Sequence, residues 1–263
     1  MKLFELYELE PWMVVYLAVI SFVLGAVFGS FLNCAAYRIA RKQSFLKGRS
    51  KCPVCNHVLS LPDLIPMFSF LFSKGKCRYC GTKISARYPL TELCFGLIGL
   101  SLFFHDGVSV LFLRDFIFAC CLFCLSLVDL EICEIPDGCL LIATLAWVAA
   151  LPFVGMELFD IFWHVGAGLL FGIVFLIISL VLDKLLKKES LGGGDIKLLF
   201  VIGLYLGLVA SMFGVIIAAI LGLIFVRIKD QKRIPFGPFL SLAAFVMLTF
   251  GEPLVRWYID LIF

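Results

Sequence analysis

Charge is scarce in this chain. Asp, Glu, Lys and Arg make up 16% of its 263 residues, against roughly 25% in a soluble domain. Apolar residues make up 62%, and mean hydropathy is +1.08. No water-soluble core could hide that much apolar surface, so a soluble globular fold is excluded and the bilayer must solvate most of the chain. A basic secretory n-region is also missing. The opening MKLFELYELE carries Glu5, Glu8 and Glu10 against one lysine, so the first apolar stretch is expected to be a retained span and not a cleaved signal. There is no GxxxxGK[ST] phosphate loop and no strand–GxGxxG–helix unit. Internal repeats and low-complexity tracts are absent. The net charge of +3 is small, and no nucleic-acid partner is expected.

A membrane helix needs about 20 mostly apolar residues. Eight spans are expected, two of them short: 12–36, 89–105, 110–128, 138–154, 161–183, 196–210, 212–227 and 236–252. The last two before the C-terminal span meet at Ala210–Met212 with almost no loop. The tail Pro253–Phe263, with Trp257 and Tyr258, suits an interfacial helix. Basic residues set the orientation. Residues 38–88 hold eleven, Lys184, Lys187, Lys188 and Lys197 form a second group, and Arg227, Lys229, Lys232 and Arg233 a third. Together these are 19 of 22. Only Lys2, Arg114 and Arg256 lie on the other side. Both termini are then outside, and loops 38–88, 129–137, 184–195 and 228–235 face the cytoplasm. The expected fold is all-α: a multi-pass membrane protein of about eight helices with one polar cytoplasmic insertion.

That insertion carries Cys52-Pro-Val-Cys55 and Cys77-Arg-Tyr-Cys80. Paired CxxC knuckles at this spacing suit tetrahedral zinc. Two disulfides are the competing reading, and the reducing cytoplasm argues against them. Four thiolates leave zinc no open position for water, so its role is to fold a loop too small for a core. His57 reads as a loop residue and not a fifth ligand. Cys121-Leu-Phe-Cys124 also spells CxxC, but it lies in an apolar helix and reads as core packing.

Two acidic groups stand at span ends. Asp129 closes the third span, and Glu131, Glu134 and Asp137 follow it. Asp195 opens the sixth span after Gly192-Gly193-Gly194. The topology puts Asp129 and Asp195 at the same depth on the cytoplasmic side. Consecutive glycines permit positive φ and close approach to another element. Ordinary alternatives stand beside this: Asp195 as a helix N-cap, Asp129 as a solvated helix end.

Gly192-Gly193-Gly194-Asp195-Ile-Lys197-Leu resembles the GxGD signature of membrane aspartyl proteases. Asp129 with Ile135-Pro136-Asp137 resembles the first catalytic aspartate of prepilin peptidases. Gly29-Ser30-Phe31-Leu32-Asn33, Tyr37-Arg38, both cysteine knuckles, Arg87-Tyr88-Pro89-Leu90 with Glu92, and Pro235-Phe236-Gly237-Pro238 fit the same family, over about residues 25–240. Ala40 departs from it, where the family usually has proline.

The resemblance implies an aspartyl endopeptidase of the cell inner membrane with Asp129 and Asp195 as its catalytic pair. It would act on type IV prepilins or pseudopilins in the lipid bilayer. It implies a first helix over 1–37, a zinc-binding loop over 38–88 tied to methyl transfer from S-adenosylmethionine, and a peptidase domain over 89–263. The pair would share one proton. Because Asp195 opens a helix near Lys197 and Asp129 closes one, the proton is expected on Asp129. A peptidase with a merely structural zinc loop, a transporter with intramembrane acids and a non-catalytic zinc-loop adaptor are the alternatives.

Overall fold

A computed structural model describes residues 11–44, 48–187, 191–229 and 235–262. Glu5, Glu8, Glu10, Lys2, Lys47, Lys188, Lys232 and Arg233 lie outside the described residues. Within them the secondary structure is helical, with two isolated β-bridges and no strand. The chain forms two compact units, Met1–Phe116 and Ile117–Phe263.

The first unit contains α1 (Pro11–Ala40), a 3₁₀ turn (Leu61–Leu64), the short α2 (Phe68–Phe72), α3 (Arg87–Asp106) and the start of α4 (Val110–Ile132). In α1 the usual soluble pattern is inverted. Small residues, among them Gly25, Ala26, Gly29, Ala35 and Ala36, are buried, while Trp12, Val15, Tyr16, Val19 and Val23 are exposed. Lipid is as apolar as those side chains, so helix pairing comes from close backbone contact and buried hydrogen bonds. Gly25 and Gly29 supply the contact. A Cβ at Gly25 would stand 2.5 Å from the Phe95 carbonyl oxygen, and one at Gly99 would stand 2.7 Å from that of Ser21. Asn33 adds the polar link, donating from Nδ2 to Thr91 Oγ1 at 3.1 Å. In the first turns of α4, Asp115 is buried at 1% exposure. Arg114 Nε holds it at 2.6 Å, with a second bond from Nη2 at 3.0 Å.

The second unit contains the rest of α4, then α5 (Asp137–Val154), α6 (Leu158–Leu186), α7 (Gly193–Lys229), α8 (Gly237–Phe250) and α9 (Glu252–Ile262). Here too glycines set the crossings. A Cβ at Gly203 would lie 2.5 Å from Gly168 Cα, so α6 and α7 meet backbone on backbone. Tyr205 donates its hydroxyl to the Ala143 carbonyl at 2.8 Å and stacks on Phe118 with centroids 3.8 Å apart, tying α7 to α5 and α4.

Six helices are long and apolar enough to cross a membrane, or seven if a bent pair counts as one span. The chain is a multi-pass membrane protein, and the difference from eight spans has two causes. The spans expected over 196–210 and 212–227 run together as α7, whose one non-helical residue is Gly207, at φ 70° and ψ −171°. Ser211 Oγ reaches the Ile202 carbonyl at 3.5 Å. Nine residues of straight helix would separate those residues by about 13.5 Å, so the chain doubles back at Gly207. The turn therefore falls at the glycine, which tolerates positive φ, and not at Ala210–Met212. The break leaves carbonyls without helical partners, and His164 Nδ1 donates to one of them, Leu204 O, at 2.9 Å. The second cause is α8. It has 14 residues and qualifies as a span only together with α9, to which it is bent by 77°. The α9 helix is amphipathic, with Trp257, Ile259 and Leu261 exposed.

Replacing Gly25 by valine is expected to force α1 and α3 apart. The cost should be about 1–3 kcal/mol of overpacking or more, read as a lower thermal midpoint of the purified protein in detergent. Valine at Gly166, where a Cβ would meet nothing within 4 Å, should change it far less.

Candidate active site and metal centre

Three chain segments of the second unit converge around Asp129. The first is its own helix end. Cys133, at φ 53°, closes α4 through a bond from its N–H to the Asp129 carbonyl at 2.9 Å. That left-handed cap uses the Asp129 backbone and leaves the side chain to turn inward, where the residue is buried at 4% exposure. The second segment is the head of α8. The Gly237 N–H donates to Asp129 Oδ2 at 2.8 Å. The third is the head of α7, where Asp195 lies within electrostatic range of the Asp129 carboxylate.

Ile135 sits between the heads of the two helices. A Cβ at Gly194 would stand 2.8 Å from Ile135 Cβ, and one at Gly237 would stand 3.4 Å from Ile135 Cδ1. The glycines before Asp195 therefore serve close approach. None of Gly192, Gly193 and Gly194 is among the positive-φ glycines, so that half of the conformational expectation is not used. They also differ among themselves. A Cβ at Gly192 would lie 3.0 Å from Asp195 Oδ2, whereas one at Gly193 meets nothing within 4 Å.

Asp195 is not a simple N-cap. It occupies the first turn of α7, and its carboxylate accepts a hydrogen bond from the backbone of Gly192, the reach-back of a capping box. Its Oδ1 is buried with no hydrogen-bond partner. Lys197 does not turn to it. Its Nζ pairs with Asp137 Oδ1 at 2.8 Å, both side chains being exposed, and the pair links the heads of α5 and α7. The helix-end argument for proton placement loses its asymmetry here, because Asp129 also faces a helix N-terminus. Glu134 and Asp137 are exposed.

Sequence inspection found both aspartates but gave Gly237 no role beyond a family motif. The available signal was a glycine and proline heading a helix, the pattern of a backbone donor brought close to a partner. Beside the site, Asp137, Leu140, Leu141 and Thr144 of α5 and Ile196, Lys197 and Phe200 of α7 line an open groove of about 380 Å³.

In the first unit the four cysteines come together. The Sγ atoms of Cys52, Cys55, Cys77 and Cys80 lie within 4.8 Å of one another, and Cys52 and Cys80 are 3.9 Å apart. A tetrahedron of Zn–S bonds near 2.3 Å has edges of about 3.8 Å, so the donor set could hold such an ion. The two knuckles are built alike. Cys52 N–H bonds His57 O at 3.0 Å, and Asn56 N–H bonds Cys52 O at 2.9 Å. Cys77 N–H bonds Thr82 O at 2.7 Å, and Gly81 N–H bonds Cys77 O at 2.9 Å. The left-handed position is Asn56 in one knuckle and Gly81 in the other.

The Thr82 hydroxyl and N–H pull the Cys80 thiol down to about 6. Cys55 is pushed up to about 11: the His57 N–H lowers it, but burial and the neighbouring Cys52 and Cys80 sulfurs outweigh that. Four sulfurs this close resist a further negative charge unless a cation joins them. His57 stacks on Tyr79 with centroids 3.6 Å apart and is no ligand. Tyr79 donates to Asp63 Oδ2 at 3.0 Å. The Ser60 hydroxyl, its N–H and Tyr79 hold the Asp63 carboxyl below the usual range. Glu92 reaches the insertion by accepting from Met67 N–H at 2.6 Å.

The chain was compared with known proteins. The bacterial peptidase A24 N-terminal domain matches residues 23–105, and the type IV leader peptidase family matches residues 116–227. A Bacillus subtilis relative named prepilin leader peptidase/N-methyltransferase is 32% identical, covering 92% of this chain and 98% of its own. Relatives of the same name include one from Burkholderia pseudomallei, 33% identical over 89% of this chain and 85% of its own. Another, from Aeromonas salmonicida, is 32% identical over 99% of both. No solved structure matches the chain.

The glycine contacts predict a graded response at the head of α7. Gly193→Ala should leave stability within about 0.5 kcal/mol of the starting protein. Gly194→Ala should cost about 1–3 kcal/mol, because its methyl overlaps Ile135. Thermal unfolding in detergent measures both, and Ile135→Ala should leave most of the Gly194→Ala loss in place, because alanine keeps the Cβ that stands 2.8 Å from the added methyl.

Proposed function

This chain belongs to the type IV leader peptidase family, and on that footing we propose that it cuts the leader from type IV prepilins or pseudopilins. Asp129 and Asp195 are its catalytic pair. The observation that carries this assignment is the meeting of a buried Asp129 with the Gly194–Asp195 helix head across Ile135. A buried and a half-buried acid from chain segments 66 residues apart in number have no packing reason to meet at the end of apolar helices, where charge is costly. They suit aspartyl chemistry. The pair shares a proton. The ionised carboxylate draws a proton from water, and the water oxygen attacks the scissile carbonyl. The protonated carboxyl donates a hydrogen bond to the carbonyl oxygen.

The site faces the cytoplasm of the inner membrane. This orientation is supported by the basic residues clustered in the insertion and at both ends of α7, Lys197 at one and Arg227 at the other. A substrate anchored in the bilayer then brings its leader to the same surface.

The four cysteines hold a structural zinc ion, which supplies the fold of the insertion. The relatives are named N-methyltransferase, and we assign that second activity to this chain too, with S-adenosylmethionine as donor and residues 38–88 as the part concerned. The groove beside the head of α7 has mainly apolar walls with the Asp137–Lys197 pair at its lining.

Asp129→Asn and Asp195→Asn should each abolish leader removal while leaving insertion intact. Alanine at Glu131, Glu134 or Asp137 should leave substantial cleavage. Full-rate cleavage by either asparagine variant, with purified enzyme and precursor, would sink the assignment of the pair.

Serine at Cys52, Cys55, Cys77 and Cys80 together should remove about one zinc per chain, read by elemental mass spectrometry. It should loosen residues 48–86 to protease. Methylation should be lost first and cleavage survive at least in part, both resolved by the mass of the processed pilin. A metal-free variant that cleaves and methylates normally would separate the insertion from both activities.

A further inference from the structure

The geometry points to Gly237 as a positioning residue: its backbone N–H fixes which oxygen of Asp129 faces the reaction. The inference rests on the proposed catalytic pair and adds a third chain segment to it.

The bond from Gly237 N–H to Asp129 Oδ2 is 2.8 Å long, buried, and spans 108 residues of sequence. It joins the C-terminal end of α4 to the first residue of α8. Any side chain at this position would destroy it. A Cβ built on Gly237 stands 2.8 Å from the same Oδ2 and 3.3 Å from Asp129 Cγ. The carboxylate therefore occupies the volume that a methyl group would need. Pro238 follows within the first turn of α8, where its fixed φ suits a helix start, so the donor is held by a rigid neighbour.

Asp195 is treated in a parallel way. The backbone of Gly192 hydrogen-bonds its carboxylate, and its Oδ1 is left buried and unpartnered. Each aspartate thus has a carboxylate engaged by the backbone of a glycine that stands where no Cβ fits comfortably. With Oδ2 committed to Gly237, Oδ1 of Asp129 is the oxygen that exchanges a proton with water or donates to the scissile carbonyl. A backbone donor cannot rotate away as a serine or threonine hydroxyl can. Fixing a carboxylate in this way is worth rate, because misplacing a reacting group by about 1 Å can cost about 100-fold.

The decisive variant replaces the N–H by an oxygen, at the further cost of a weaker Phe236 carbonyl acceptor for Phe239 and Leu240 N–H. Glycolic acid incorporated in place of Gly237 gives a backbone ester, which adds no atom beside Asp129. Its kcat on a pilin precursor should fall about 10- to 100-fold, with KM unchanged and the thermal midpoint close to that of the parent. Gly237→Ala should also lower kcat more than it raises KM, since its methyl must displace Oδ2.

Parent protein and Asp129→Asn run alongside. If Asp129→Asn is inactive and the ester variant keeps full kcat, the positioning role is overturned and the catalytic pair stands. A rise in KM alone in the ester variant also overturns it, as that marks a structural or binding role. Full activity of Asp129→Asn would overturn the catalytic pair and this inference with it. Should the ester variant fail to fold, a folded Gly237→Ala at full kcat overturns the proposal. A folded Gly237→Ala with depressed kcat and parental KM supports it.

Discussion

Backbone proximity is the constraint on which the rest of this structure depends. In lipid, large apolar side chains gain nothing by facing another helix, so they face outward and leave the contacts to residues without bulk. Gly25 and Gly99 let α1 and α3 touch, and Gly168 and Gly203 do the same for α6 and α7. The same device, moved from the helix middles to the helix heads, builds the site. Gly194 admits Ile135, and Gly237 admits the Asp129 carboxylate. Scaffold and chemistry thus use one solution, and a methyl group is the smallest change that disturbs either.

The polar groups that remain inside are placed where the backbone can serve them. Asp129 takes its bond from Gly237 N–H and Asp195 from Gly192, while Leu204 O receives the His164 ring where the helix is interrupted. Side-chain pairs are kept for other duties. Lys197 and Asp137 meet in an exposed position, where such a pair contributes only about 0–1 kcal/mol. Its use is to register the heads of α5 and α7. Arg114 and Asp115 form a buried pair far along α4 from Asp129. A buried ion broken from its partner costs several kcal/mol, so that pair enforces a fixed local arrangement at the start of α4.

Much of this was legible in the sequence, for reasons that differ from residue to residue. The helices announced themselves through apolar length, which the bilayer dictates directly. The clustering of the four cysteines was legible because two thiols separated by two residues can point at one place, and a second such pair completes a tetrahedral donor set. Asp129 and Asp195 stood out as charges at the ends of apolar runs. The turn at Gly207 was harder to place. Glycine, alanine and serine all lie between the two arms of α7, and composition alone does not say which one leaves the helical region. Lys197 was misdirected for a similar reason. Two residues from Asp195 in sequence, it lies on another side of the helix, because neighbours two apart do not share a face. Gly237 has no chemistry of its own to read. Its role exists only once the fold brings α8 against α4.

The reversal at Gly207 also bears on how the protein is made. A single positive-φ glycine leaves no polar loop between the two arms of α7. The two arms of residues 193–229 are therefore joined with no polar segment between them. The doubling back turns the two ends of that segment, with Lys197 near its start and Arg227 near its end, toward the same side. Neither arm can be oriented independently of the other, and the helix head that carries Asp195 acquires its sidedness from a basic residue thirty-two positions downstream as much as from its own loop.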